Sequence, residues 1–284
     1  MKQTDQRIFA IPSFSNAFLF LVLTLLWSWT FLVIAILRSE DANIFPTSFL
    51  RFLASLGLLI IAIGMMKFRP DGESLHFYWL RLIHWQQIPK WILIGSLLFS
   101  PLTALIASIT SQLSILSSLS TIHVWKTNAN SLSIFWSWIL PLFYYSLPEE
   151  FGWRGYALPR LQSRWNPFLS SLLLGIVWSL WYLPLYFIPG TYQSHLIFGS
   201  TLFWIFILHL ISQSILMTAI MNAARGFILP TILFNYTTNL TAEVLQFSTQ
   251  VTMHWIFWTS CAASLVVIYW LFTKQVHFHR TRVS

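Results

Sequence analysis

Two adjacent carboxylates, Glu149 and Glu150, stand in the run Pro-Glu-Glu-Phe-Gly-Trp-Arg-Gly-Tyr at positions 148–156. They directly follow an apolar stretch, 132–147, in a chain with only 8 acidic residues among 284. A carboxylate at bilayer depth costs about 2.5–3.5 kcal/mol on insertion scales, so such residues are functional candidates by default. Arg154 lies four residues after Glu150, one helical turn away, and is its natural counter-charge. Further along the chain come Tyr182 and two amides, Asn235 and Asn239, which are one turn apart and share a helix face. In this set Glu149 is the candidate general base toward water. The two amides are candidate donors to an oxyanion. Tyr182 can donate a hydrogen bond, but a phenol is protonated at neutral pH and cannot serve as the base. No residue of the set is suited to shuttle the proton onward.

The elements that must position these groups are membrane helices. Hydrophobic residues make up 56% of the chain and charged residues 8%, against about 25% charged in a soluble domain. The expected fold is all-α, a polytopic helical bundle of about eight transmembrane helices. Apolar stretches near the length a bilayer core needs fall at 17–37, 47–66, 91–110, 132–147, 168–188, 200–221, 227–240 and 251–272. The fourth and seventh are short, and the fourth is expected to run on across Pro148 toward the glutamates. The single cysteine, Cys261, lies in an apolar run and excludes a disulfide framework.

The net charge of +8 does not point to nucleic acid, because no aromatic–basic groove motif accompanies it. Lys and Arg sit in short loops, where they set orientation. With both termini cytoplasmic, 13 of the 16 Lys+Arg fall on that side, and only Arg38, Lys126 and Arg51 on the other. This places the glutamates at the cytoplasmic end of the fourth span and the protein in the cell membrane. The chain reads as one membrane domain in three parts: helices and loops over 1–130, a motif core over 131–245, and a last helix with a basic cytoplasmic tail over 246–284.

Three ordered blocks carry a resemblance to a family. The run from Glu149 to Leu158 resembles the EExxxR block of the CPBP intramembrane metalloproteases, which include the CAAX prenyl endopeptidases and the bacterial Abi-type, bacteriocin-processing proteins. Trp178-Ser-Leu-Trp-Tyr182-Leu-Pro-Leu is similar to the next block, where the family has an aromatic residue, three others and then histidine. Asn235-Tyr-Thr-Thr-Asn239 resembles the third, where the family has His-x-x-x-Asn. The likeness covers about 140–245; the first 130 residues match only as hydrophobic spans. Tyr182 and Asn235 occupy the two histidine positions, while Glu149, Glu150, Arg154 and Asn239 keep the family pattern. The resemblance implies an intramembrane endopeptidase, nominally zinc-dependent, in which the first glutamate and first histidine activate water.

Zinc sites favour Cys, His and carboxylate ligands, so with both imidazoles replaced no bound metal or other cofactor is expected. The resulting expectation is a family member with a degenerate site, weak or absent proteolysis, and a binding, immunity or scaffolding role. Its partners would be membrane lipids and a peptide or transmembrane partner protein, with no nucleic acid. The alternative is an active, atypical glutamate-dependent endopeptidase, and a small transporter is a remote third. Each signal also has a plain structural reading. Pro148 and the acids suit a helix start; Arg154, Arg160 and Arg164 suit a headgroup-facing belt; Asn235 and Asn239 suit interhelical glue. His209, within the sixth span, is expected to be packed and hydrogen-bonded beside Gln213, not catalytic.

Overall fold

The computed structural model describes residues 13–70, 75–83, 85–113, 138–139, 141–245 and 249–273. Among them the chain is helical and holds no strand. The helices are α1 (Phe14–Arg38), α2 (Thr47–Phe68), the short α3 (Leu75–Ile83) and α4 (Lys90–Leu113). A composite helix α5 follows over 142–161, then α6 (Pro167–Tyr182), the single turn α7 (Tyr192–His195), α8 (Thr201–Ala223), α9 (Leu229–Leu245) and α10 (Thr249–Thr273). Six of the helices are long and apolar enough to cross a membrane: α1, α2, α4, α6 with its following turn, α8 and α10. These correspond to six of the eight expected spans. The seventh is α9, only 17 residues long, and the fourth is α5, whose preceding residues 132–137 lie outside the described set.

Helix boundaries follow from local chemistry. Asn166 caps α6 by accepting from the Leu169 N–H at 2.8 Å, with Pro167 in the first turn where its missing N–H costs nothing. Ser200 caps α8 in the same way through Phe203. The α1–α2 pair is antiparallel: Asn16 donates to the Arg69 carbonyl, and Ser28 donates to the Ala54 carbonyl at 2.8 Å. Gly175 lets α6 approach α8 closely, since a Cβ there would lie 2.8 Å from the Ile211 Cα. Small residues play this part wherever membrane helices pack tightly.

Packing neighbours run in the order α2–α1–α6–α8–α10–α4–α9, and α5 touches α1, α2, α6, α8 and α9 from within. Every residue from 148 to 158 is buried, as expected for a helix enclosed on all sides. Two readings of the sequence are corrected here. The glutamates do not stand at a helix end, because α5 continues past them to Leu161, and Gly152 packs against Leu58 within α2. Arg154 and Arg160 do not face headgroups either: they are 1% and 0% exposed. Arg160 donates to the Tyr156 carbonyl at 2.9 Å and lies 3.5 Å over the Tyr156 ring, a cation–π contact strengthened by desolvation.

Candidate active site

Helix α5 is not a regular α-helix. Two π-helical stretches, Leu142–Ser146 and Phe151–Ala157, flank the α-helical turn Leu147–Glu150 that carries both glutamates. The Leu147 N–H reaches back to the Leu142 carbonyl and that of Leu158 to Trp153, five residues in each case. Such π-bulges occur often at functional sites. The widened turns are supported from α3, where the Tyr78 hydroxyl donates to the Phe151 carbonyl at 2.6 Å and Arg81 donates to the Gly155 carbonyl. Gly152 is required here because a Cβ would come 2.8 Å from Leu58.

The six candidate residues from α5, α6 and α9 meet in one polar cluster. Asn235 of α9 donates from its amide nitrogen to Glu149 Oε2 at 3.1 Å and to Glu150 Oε1 at 2.9 Å. Its amide oxygen accepts from Asn239 at 2.6 Å and faces Ser146 Oγ at 3.5 Å. An asparagine has one donor end and one acceptor end, so Asn239 fixes which end Asn235 turns toward the carboxylates. The Tyr182 hydroxyl donates to Glu149 Oε1 at 3.4 Å. Arg154 pairs with Glu150 Oε1 at 3.0 Å, and its guanidinium lies 4.7 Å over the Trp178 ring.

The electrostatics follow from burial. Glu149 and Glu150 are both 0% exposed, and a carboxylate removed from water is costly unless paired and hydrogen-bonded. Arg154 pairs with Glu150, and the Asn235 amide supplies hydrogen bonds to both acids. The two N–H groups of Asn235 are therefore spent on the glutamates, and an N–H of Asn239 on Asn235. This departs from the expected donors for an oxyanion: the amides point along their own network. Among the described residues no histidine hydrogen-bonds to either glutamate, and no group of three His, Cys, Asp or Glu is arranged to hold a metal ion.

His209 lies elsewhere, in α8, with its Nε2 2.7 Å from Gln213 Nε2 and its ring 5.5 Å from the Trp255 ring. Two further residues adjoin the cluster. Trp178, the aromatic residue that opens the second block of the resemblance, stands one turn before Tyr182 on the same face. Arg51 of α2 donates to the Tyr145 hydroxyl at 3.1 Å, one turn of α5 before Glu149, and no sequence spacing marked that meeting.

Over 98 residues the chain is 40% identical to the CAAX prenyl protease 2 of Methanococcus maripaludis. That alignment spans 34% of this chain and 36% of the archaeal protein, so the chain covers only about a third of that relative's length. Residues 130–278, which include α5, α6 and α9 and more than half of the chain, match the family described as type II CAAX prenyl endopeptidase Rce1-like. With the cluster and the matched segment coinciding, this multi-pass membrane protein belongs to the type II CAAX prenyl endopeptidase Rce1-like family.

Proposed function

We propose that the chain is a CAAX prenyl endopeptidase-like protein whose intramembrane site binds a peptide or a partner's transmembrane segment and hydrolyses it weakly or not at all. The observation that carries this reading is the Asn235 amide, which donates to Glu149 at 3.1 Å and to Glu150 at 2.9 Å. A general base must be free to take a proton from water and pass it on. Here Glu149 accepts from two neutral donors, Asn235 and Tyr182. Neither an amide nor a phenol takes up a proton at neutral pH, so the carboxylate has no relay beside it.

The same donor set argues against zinc. Catalytic zinc sites draw on His, Cys and carboxylate ligands, whereas Asn235 turns N–H groups toward the carboxylates and Arg154 adds a positive charge. These residues do not fit the metal. The bias of loop charge supports cytoplasmic termini in a cell membrane.

The test is a pair of measurements on purified full-length protein in detergent. A labelled hydrophobic peptide should bind saturably, and product should stay at or near the background of a protein-free control. Turnover that disappears in Glu149→Gln would contradict the proposal and favour a glutamate-dependent peptidase.

A further inference from the structure

We propose that the lane between α1 and α6 holds an anionic phospholipid, its phosphate on Arg164 and an acyl chain running down the two helices. Both helices are apolar enough to cross a membrane, and they lie side by side and parallel. Phe14, the first residue of α1, meets the ring of Trp165, just before α6, at 5.2 Å. About four turns further along both helices, Trp29 of α1 donates to the Leu180 carbonyl of α6 at 3.2 Å. Between these two ties Phe18, Val22, Leu169 and Ile176 are exposed. Val22 follows Phe18 by one turn, and Leu169 and Ile176 recur at helical spacing between Trp165 and Leu180, so all four face the lane. The strip is hydrocarbon throughout its length.

The head of the lane is basic. Arg164 is exposed, unlike Arg154 and Arg160, and its guanidinium lies 5.3 Å over the Phe14 ring. Lys67 and Arg69, at the end of α2, are exposed as well. The Arg69 carbonyl accepts from Asn16, in the first turn of α1, at 3.3 Å. Three cations from two connections thus stand around the start of α1. Among the described residues no acidic side chain pairs with any of them: Glu40 is held by Arg38, and Glu150 by Arg154.

Trp165 stands where membrane proteins carry their interfacial aromatic belt, so these cations lie at headgroup depth. A guanidinium stacked on a ring keeps its planar fork free for a phosphate, which it holds in bidentate fashion. The N-terminus of α6, just beyond Arg164, adds partial positive charge at the same place. Clustered cations beside membrane helices attract anionic headgroups in this way. An acidic protein segment would use the charges but not the hydrocarbon strip, and free phosphate would use the fork alone.

The inference does not depend on what the intramembrane site binds, and its test needs no peptide. Full-length protein is delipidated in neutral detergent and titrated with dioleoylphosphatidylglycerol or dioleoylphosphatidylcholine, and bound lipid is counted by native mass spectrometry. The phosphatidylglycerol should bind about tenfold more tightly, since each cation near a membrane surface contributes about fivefold. Arg164→Gln should lower phosphatidylglycerol affinity about fivefold and leave phosphatidylcholine affinity unchanged, which also controls for folding. Arg69→Gln should act in the same sense. Lys90→Gln, at the start of α4 and away from the lane, should change nothing. Equal affinities for the two lipids in the wild type overturn the inference. So does an Arg164→Gln variant that binds both lipids as the wild type does, or both more weakly by the same factor. Equal weakening by Arg164→Gln and Lys90→Gln overturns it in favour of diffuse surface charge. Inorganic phosphate that displaces phosphatidylglycerol at matching concentration overturns it in favour of a free anion.

Discussion

Asn235 donates to Glu149 at 3.1 Å across the interface between α9 and α5. In the family the chain belongs to, the resemblance implies a histidine at this position. Asn235 carries no titratable ring; its amide only donates and accepts hydrogen bonds. Both carboxylates therefore face the same amide nitrogen, at 3.1 and 2.9 Å.

Removal of Arg154 should be severely destabilising. Its partner Glu150 is 0% exposed and paired at 3.0 Å, so Arg154→Met leaves a buried carboxylate without its counter-charge. Such losses cost about 3–5 kcal/mol. Thermal unfolding in detergent should show a large drop for Arg154→Met and substantial recovery in Glu150→Met/Arg154→Met. Equal stability of wild type and single variant would mean that the pair is solvated.

Tyr182→Phe isolates one hydrogen bond. The ring packs edge-on against Trp181 and Phe206, with centroids at 5.1 and 5.7 Å, and phenylalanine keeps those contacts. Only the 3.4 Å donation to Glu149 is lost, worth about 0.5–1.5 kcal/mol. A stability change above that window, measured by the same unfolding experiment, would show that the hydroxyl has a larger structural part.

Gly175→Val should disrupt the α6–α8 contact. Its first side-chain atom would sit 2.8 Å from the Ile211 Cα, and backbone cannot yield as a side chain does. Overpacking of this kind costs about 1–3 kcal/mol. Protease susceptibility of the purified variant should rise, and wild-type resistance would indicate that the two helices separate without penalty.

Zinc retention gives an independent check on the donor set. After dialysis, wild type and Glu149→Ala should carry the same background of zinc, because amides and a phenol do not compete for this ion. Stoichiometric metal lost in the variant would overturn that expectation.

The sequence made the members of the cluster legible through three short blocks whose residue types are rare in apolar helices. Glu149, Glu150, Arg154, Tyr182, Asn235 and Asn239 could be picked out because polar groups stand out against hydrocarbon. The extent of α5 was harder to read. Hydropathy stops at 147, yet the helix continues to Leu161, because protein rather than lipid surrounds it and its Arg and Glu find partners there. Arg160 misled for the same reason: a tertiary aromatic contact with Tyr156 buries it, and loop-charge reasoning has no term for that. Arg51 was read only as a topology signal, since its meeting with Tyr145 joins residues 94 positions apart.

The most direct test of the central claim is peptide hydrolysis by the Tyr182→His/Asn235→His variant, with wild type and Glu149→Gln assayed alongside. The variant places imidazoles where Tyr182 and Asn235 now meet Glu149 and leaves Glu150, Arg154 and Asn239 in place. General acid–base assistance is worth about 10²–10⁴-fold, so a fluorogenic peptide assay should register a clear gain over a wild type at background. Wild-type turnover that survives inhibitor controls, vanishes in Glu149→Gln and is not raised by the two histidines would contradict the account.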